Sequence, residues 1–213
     1  MKNKVSICSA EALYNDMVFT KMLKNASSFR AEKVMSQKKR EDKNLCLAAT
    51  YLLDMHLLSF GLCEKQMEYY LNEYGKPMFC GHDLFFNLSH SGSFAMCAVS
   101  RTSVGCDIQK IKEGKSAAEK FLTEEERKYI CAHENRDFFR IWALKESIAK
   151  AHGRGVSIMR SFSVVEDMKI KDRVFIENDV FYPKQVDSPE GYFAAVCFTN
   201  NEDCENPTIL TVN

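Results

Sequence analysis

The segment Asp137–His152, DFFRIWALKESIAKAH, constrains the fold more than any other stretch of the chain. Ile141, Leu144, Ile148 and Ala151 recur at helical spacing, which predicts a helix with one buried stripe. Gly153 and Gly155 follow at once in HGRG and stop it. Trp142, Glu146 and Lys150 recur every four residues on an adjacent face. The stripe needs a surface to pack on, and the apolar runs nearby are of strand type.

Those runs make a meander at mid-chain. Leu84–Ser89 and Phe94–Ser100 flank the small polar turn SHSGS, and Val104–Ile108 follows. Further short β runs are expected at Ser161–Val165, Arg173–Glu177, Val180–Tyr182 and Tyr192–Thr199. Val5–Cys8 reads as an N-terminal strand. Ala10–Lys24 has helical spacing through Leu13, Met17, Phe19 and Leu23, and Ser27 or Ser28 can cap what comes next. Leu45–Phe60 is a second apolar helix, with Gly61 to end it. Thr123 with Glu126 matches a capping box. The tail after Asn200 is polar and reads as frayed. Helices, meander, helices, meander is the order of an α+β protein, and 213 residues suit one large domain or two small lobes.

Net charge is zero, so no bulk field favours nucleic acid or a membrane surface. Nine cysteines, an odd number without a CxxC pair, lie partly inside apolar runs such as FAMCAVS. They read as small buried hydrophobes of a protein kept in a reducing cytoplasm. Glu11 interrupts the first apolar run too early for a signal peptide, and no window is long enough to span a membrane.

The residues with chemical potential fall in two places. Glu146 and Lys150 at i,i+4 are either a surface ion pair or part of a site beside the glycine-rich AHGRGVS. Asp107, between Cys106 and Ile108, is either a strand-end carboxylate reaching water or a metal ligand. With Glu146 and an oxygen from Gln109 or Glu126 it would make a hard-oxygen site suited to Mg²⁺. His90 with Ser89 and Ser91 is either a structural turn or an anion nest. Lys76, in YGKP, is a candidate phosphate contact. Arg30, Lys33, Lys38, Lys39, Arg40 and Lys43 form either a solvated helix face or a phosphate-facing patch. No P-loop, GxSxG or GxGxxG competes with this pocket.

Taken in order, YGKP, FNLSHSG, VGCDIQ, FLTEEE and WALKESIAKAHGRG resemble the 4′-phosphopantetheinyl transferases of the surfactin-synthetase type. The motifs run from Gly75 to about Val165. The resemblance implies two similar α/β lobes in one chain, a pseudo-dimer, divided here as 1–102 and 103–213. It implies coenzyme A bound between the lobes, and transfer of its phosphopantetheine arm to a serine of an apo acyl, polyketide or peptidyl carrier protein. Adenosine 3′,5′-bisphosphate would be released, and Mg²⁺ would bridge the pyrophosphate. Two lobes in one chain remove the need for a dimer. Asp107, Glu146 and the position of Gln109 fall on metal-ligand positions, and Glu126 on a further acidic one, for which Glu124 or Glu125 could serve. Lys150 falls on the pyrophosphate lysine, Ser89, His90 and Ser91 on the coenzyme phosphate turn, and Lys76 near the nucleotide. Glu146 is also placed to take the serine proton. Trp142 is expected to pack the helix against the other lobe. The family usually has an acid where this chain has Gln109, which implies a weaker Mg²⁺ site or a water there. A relative that binds coenzyme A or a carrier without turnover is the alternative.

Overall fold

A computed structural model describes residues 3–113, 117–134, 137–201 and 206–212. The elements in order are β1 (Lys4–Ser9), α1 (Asp16–Asn25), α2 (Ser28–Met35), α3 (Arg40–Leu58), β2 (Tyr69–Leu71), β3 (Pro77–Phe79), β4 (Phe85–Ser91), β5 (Phe94–Ser100) and β6 (Val104–Lys110). They continue with α4 (Glu124–Ala132), α5 (Asp137–His152), β7 (Val165–Glu166), β8 (Lys169–Ile170), β9 (Val174–Ile176), β10 (Asp179–Val186), β11 (Tyr192–Phe198) and β12 (Thr208–Thr211). The chain is thus α+β. No helix among the described residues is long and apolar enough to cross a membrane.

Two four-stranded sheets carry the structure, in the orders β12-β1-β5-β4 and β6-β11-β10-β9. Helix α3 covers one face of the first, and α5 covers one face of the second. The remaining two faces pack on each other. Val5, Ile7, Met96 and Ala98 from the first sheet meet Cys106, Ile108, Val196 and Phe198 from the second. Strands β5 and β11 are therefore buried on both sides. That is why FAMCAVS and YFAAVCF read as continuous apolar runs rather than alternating ones.

Local sequence explains most boundaries, and also four departures from expectation. The helix expected over 10–24 is broken at Asn15, whose side chain accepts from the amides of Met17 and Val18 and starts α1 afresh. Ser27 caps α2, and the Thr123–Glu126 capping box forms. The strand expected at 161–165 begins only at Val165. Strand β10 runs on through Pro183 to Val186, because β9 pairs only with Asp179–Phe181 and leaves that edge open where the proline stands. The tail does not fray throughout: Thr208–Thr211 returns to pair in parallel with β1.

Strands β4 and β6 are edge strands of different sheets, and they meet through side chains. Asn87 Oδ1 accepts from Cys106 N (2.9 Å), Ser89 Oγ from Ile108 N (3.4 Å) and Ser91 Oγ from Lys110 N (3.0 Å). Alternate residues of one strand thus satisfy alternate amides of the other, where a backbone ladder would otherwise be needed. The seam runs directly beside Asp107.

Candidate active site

The pleat puts Val104, Cys106 and Ile108 against the first sheet and turns Gly105, Asp107 and Gln109 toward α5. Gly105 lets the helix come down onto the strand. A Cβ there would lie 2.9 Å from the Lys150 carbonyl carbon and closer still to Ser147 O and Ala151 N. Helix α5 therefore rests backbone to backbone on β6, with Lys150 held over the next residue but one.

Five side chains converge there. Lys150 Nζ lies 2.5 Å from Asp107 Oδ1 and 3.2 Å from Glu146 Oε2. It also donates to Ser89 Oγ at 3.1 Å and to Cys106 O at 3.2 Å. Ser89 Oγ donates to Asp107 Oδ1 at 2.7 Å, and Gln109 Nε2 donates to Asp107 Oδ2 at 2.7 Å. Asp107 is buried, so its charge is matched by an ammonium and two neutral donors rather than by water. Burial alone would push the Lys150 pKa down. The Asp107 and Glu146 carboxylates more than offset it and hold it above the ordinary lysine value. Glu146 is raised, first by burial and then by the nearby Asp107 charge, with Lys150 opposing.

Of the residues singled out from sequence, Asp107, Glu146, Lys150, Ser89 and Gln109 are brought together. Ser91 lies one step along the same seam. His90 is exposed on the opposite face of β4. Partial enclosure and then the Lys150 charge hold its pKa below the ordinary value.

Glu126 is not part of this group. It is fully buried, and its Oε1 accepts from Lys145 Nζ (2.9 Å) and Val164 N (2.9 Å), while Oε2 accepts from Thr123 N (2.8 Å). Lys145, also fully buried, gives a further bond to Phe162 O at 2.8 Å and sits over the Phe162 ring. The pair ties α4, α5 and the 162–164 segment together. Glu124 is exposed and pairs with Lys128, and Glu125 is exposed as well. Among the described residues no three His, Cys, Asp or Glu side chains gather as a metal cluster.

Lys76 also departs from expectation. Its ammonium donates to the backbone carbonyls of Lys150 (2.7 Å), Val104 (3.1 Å) and Ala151 (3.3 Å). The three N–H groups are accounted for by protein, not by a ligand-facing surface. The basic cluster splits in two. Arg30 is buried against Thr50 and Cys46, and Arg40 binds Asp16, Leu13 O and the Phe19 ring. Lys33, Lys38 and Lys39 remain exposed. Trp142 packs on the rings of Phe121 and Phe138, on its own side of the molecule rather than against the first sheet.

The Asp107 and Glu146 carboxylates make a hard-oxygen donor pair. It fits a Mg²⁺ ion that takes one or two carboxylates and completes its shell with substrate phosphates and water. Lys150 beside them can hold an anionic group in place.

Residues 103–197 match the model of a family described as the 4′-phosphopantetheinyl transferase superfamily. The match begins at the residue before β6 and ends inside β11, so it contains Asp107, Gln109, Glu146 and Lys150. Over 205 residues, 90% of each chain, the sequence is 31% identical to a 4′-phosphopantetheinyl transferase of Bacillus subtilis. It is 30% identical over 163 residues to 4′-phosphopantetheinyl transferase Sfp of Bacillus subtilis strain 168, covering 71% of this chain and 72% of that one. It is 36% identical over 135 residues to 4′-phosphopantetheinyl transferase gsp of Aneurinibacillus migulanus, covering 59% and 56%.

Proposed function

The chain belongs to the 4′-phosphopantetheinyl transferase superfamily and transfers the phosphopantetheine arm of coenzyme A to carrier proteins; we propose that the Asp107–Glu146–Lys150 cluster is where it does so. The observation that carries this assignment is Lys150 Nζ lying 2.5 Å from Asp107 Oδ1 and 3.2 Å from Glu146 Oε2, inside the matched segment.

In this reading the serine hydroxyl of an apo carrier attacks the phosphorus that bears the phosphopantetheine arm. An O–P bond forms to serine, the bond to the adenosine bisphosphate oxygen breaks, and the serine proton leaves. Glu146 takes that proton directly or through a water. Lys150 faces the pyrophosphate and offsets the charge that gathers on its oxygens. Asp107 and Glu146, with Gln109, would hold Mg²⁺, which supplies Lewis-acid stabilisation of the pyrophosphate when bound. Ser89 fixes Asp107 from β4. Ser91 and His90 lie at the end of the same strand, where the coenzyme's phosphates would approach. Glu126 serves as a structural acid in this reading.

The test is mass spectrometry of an apo carrier incubated with this protein, coenzyme A and Mg²⁺. One phosphopantetheine arm should be added to wild type's substrate and none by Asp107→Ala. Coenzyme A binding without addition to acyl, polyketide or peptidyl carriers would refute the transfer reading.

A further inference from the structure

The last carbonyls of a helix have no partners within it, and something outside must donate to them. In α5 that task falls largely on the five-residue tip between β2 and β3. Lys150 O accepts from Lys76 Nζ (2.7 Å), Ala151 O from Lys76 Nζ (3.3 Å) and Ser103 Oγ (2.5 Å), and Gly153 O from Asn72 Nδ2 (3.3 Å). An ammonium at a helix C-terminus also meets the negative end of the dipole.

The tip is built to hold this grip. Asn72 Oδ1 accepts from Tyr74 N (3.0 Å) and Lys76 N (2.8 Å), and Asn72 N donates to Lys76 O at 2.9 Å. Gly75, at φ +84°, makes the reversal that a side chain would strain. The Tyr74 ring lies 5.9 Å from the Arg154 guanidinium. Asn72, Tyr74 and Lys76 thus all engage residues 150–154.

Lys76 does one thing more. Its third bond, to Val104 O at 3.1 Å, reaches the start of β6, three residues before Asp107. One ammonium therefore joins the backbone of Lys150 to the strand that carries Asp107. Resting on the transferase reading above, we propose that Lys76 is a positioning residue, which clamps the last turn of α5 to β6 and so sets where the Lys150 ammonium stands against Asp107. It acts through backbone and leaves the coenzyme untouched.

The experiment compares wild type with Lys76→Met, Lys76→Arg and Asn72→Ala. Asn72→Ala removes only the bond to Gly153 O and the tip's internal turn, and serves if Lys76→Met does not fold. Three quantities are read: the coenzyme A dissociation constant by calorimetry, kcat and KM in carrier modification, and hydrogen exchange of the amides at 149–153. Lys76→Met should lower kcat by about 10- to 100-fold, the scale of an ångström-sized misplacement. Its coenzyme affinity should fall less than kcat does, since Lys76 reaches the coenzyme only through Lys150, and the last-turn amides should exchange faster. Lys76→Arg should recover part of kcat, and Asn72→Ala should show a smaller loss of the same kind. Weakened coenzyme binding with kcat intact would overturn the proposal, since it would put Lys76 on the ligand. Unaltered exchange at 149–153 would overturn it whether or not turnover is seen. Absence of transfer by wild type would count against the transferase reading alone, and the exchange measurement would still decide the clamp.

Discussion

Replacing Gly105 by alanine tests whether the close approach of α5 to β6 sets the chemistry. The added Cβ would stand 2.9 Å from the Lys150 carbonyl carbon and nearer to Ser147 O and Ala151 N, all backbone atoms that cannot rotate away. Ordinary contact is restored only if the helix withdraws by roughly 1 Å, which overpacking data price at about 1–3 kcal/mol. In a protein of this size that lowers the melting temperature by about 3–10 °C. The same withdrawal stretches the 2.5 Å Lys150–Asp107 contact, and a misplacement of that scale costs roughly 10²-fold in rate. Thermal unfolding and initial rates of carrier modification measure the two effects. Gly81→Ala is the control. Gly81 has φ +70° with open space around it, so alanine strains the backbone and costs stability without moving α5. Both variants should melt earlier, and only Gly105→Ala should lose turnover. Wild-type turnover in Gly105→Ala, or equal loss in both, would refute the reasoning.

Lys145→Met leaves the Glu126 carboxylate buried without its cation and should destabilise the fold by about 3–5 kcal/mol, read by urea denaturation. The double change Glu126→Gln with Lys145→Met should recover part of that loss. Burial pushes the Lys76 pKa down to about 8 from 10.5, with the Cys106 and Cys197 thiols opposing. Between those values the unfolded chain holds a proton that the folded protein has released, so the Lys76 contribution to stability rises with pH there and is constant below. The difference in unfolding free energy between wild type and Lys76→Met should therefore grow in favour of wild type above pH 8, and a flat difference contradicts the assignment. Gln109→Glu sets a second carboxylate against Asp107 Oδ2, where the amide now donates at 2.7 Å. An added unit charge at about 4 Å is worth about 1–4 kcal/mol, so the Mg²⁺ needed for half-maximal rate should fall at least about fivefold. Equal requirements would sink that idea.

The sequence exposed the helix and its neighbouring meander because both periodicities are local. Asp107 was visible as an oddity, a carboxylate between Cys106 and Ile108, but the choice between water and a partner needed Lys150, 43 residues on. The role of Lys145 had a signal that could have been used. It sits between Ile141, Leu144 and Ile148 on the buried side, and a charge there requires an opposite charge. Lys76 left no such trace, because its partners are carbonyls, and every residue has one. The return of β12 to β1 was hidden for a related reason. Four residues of ordinary strand type after a polar stretch carry no mark of the distant strand they pair with.

The side-chain seam between β4 and β6 has a consequence for solubility. An unpaired strand edge invites another chain to add to it, and proteins usually blunt such edges with charge, proline or a covering element. Here each sheet spends one edge on the other, and the stoppers are Asn87, Ser89 and Ser91. Ser89 also touches Asp107 and Lys150. The residue that orients the site is therefore one that keeps two edges from being templates, so substitutions that open the seam should yield protein that self-associates as well as protein that turns over slowly.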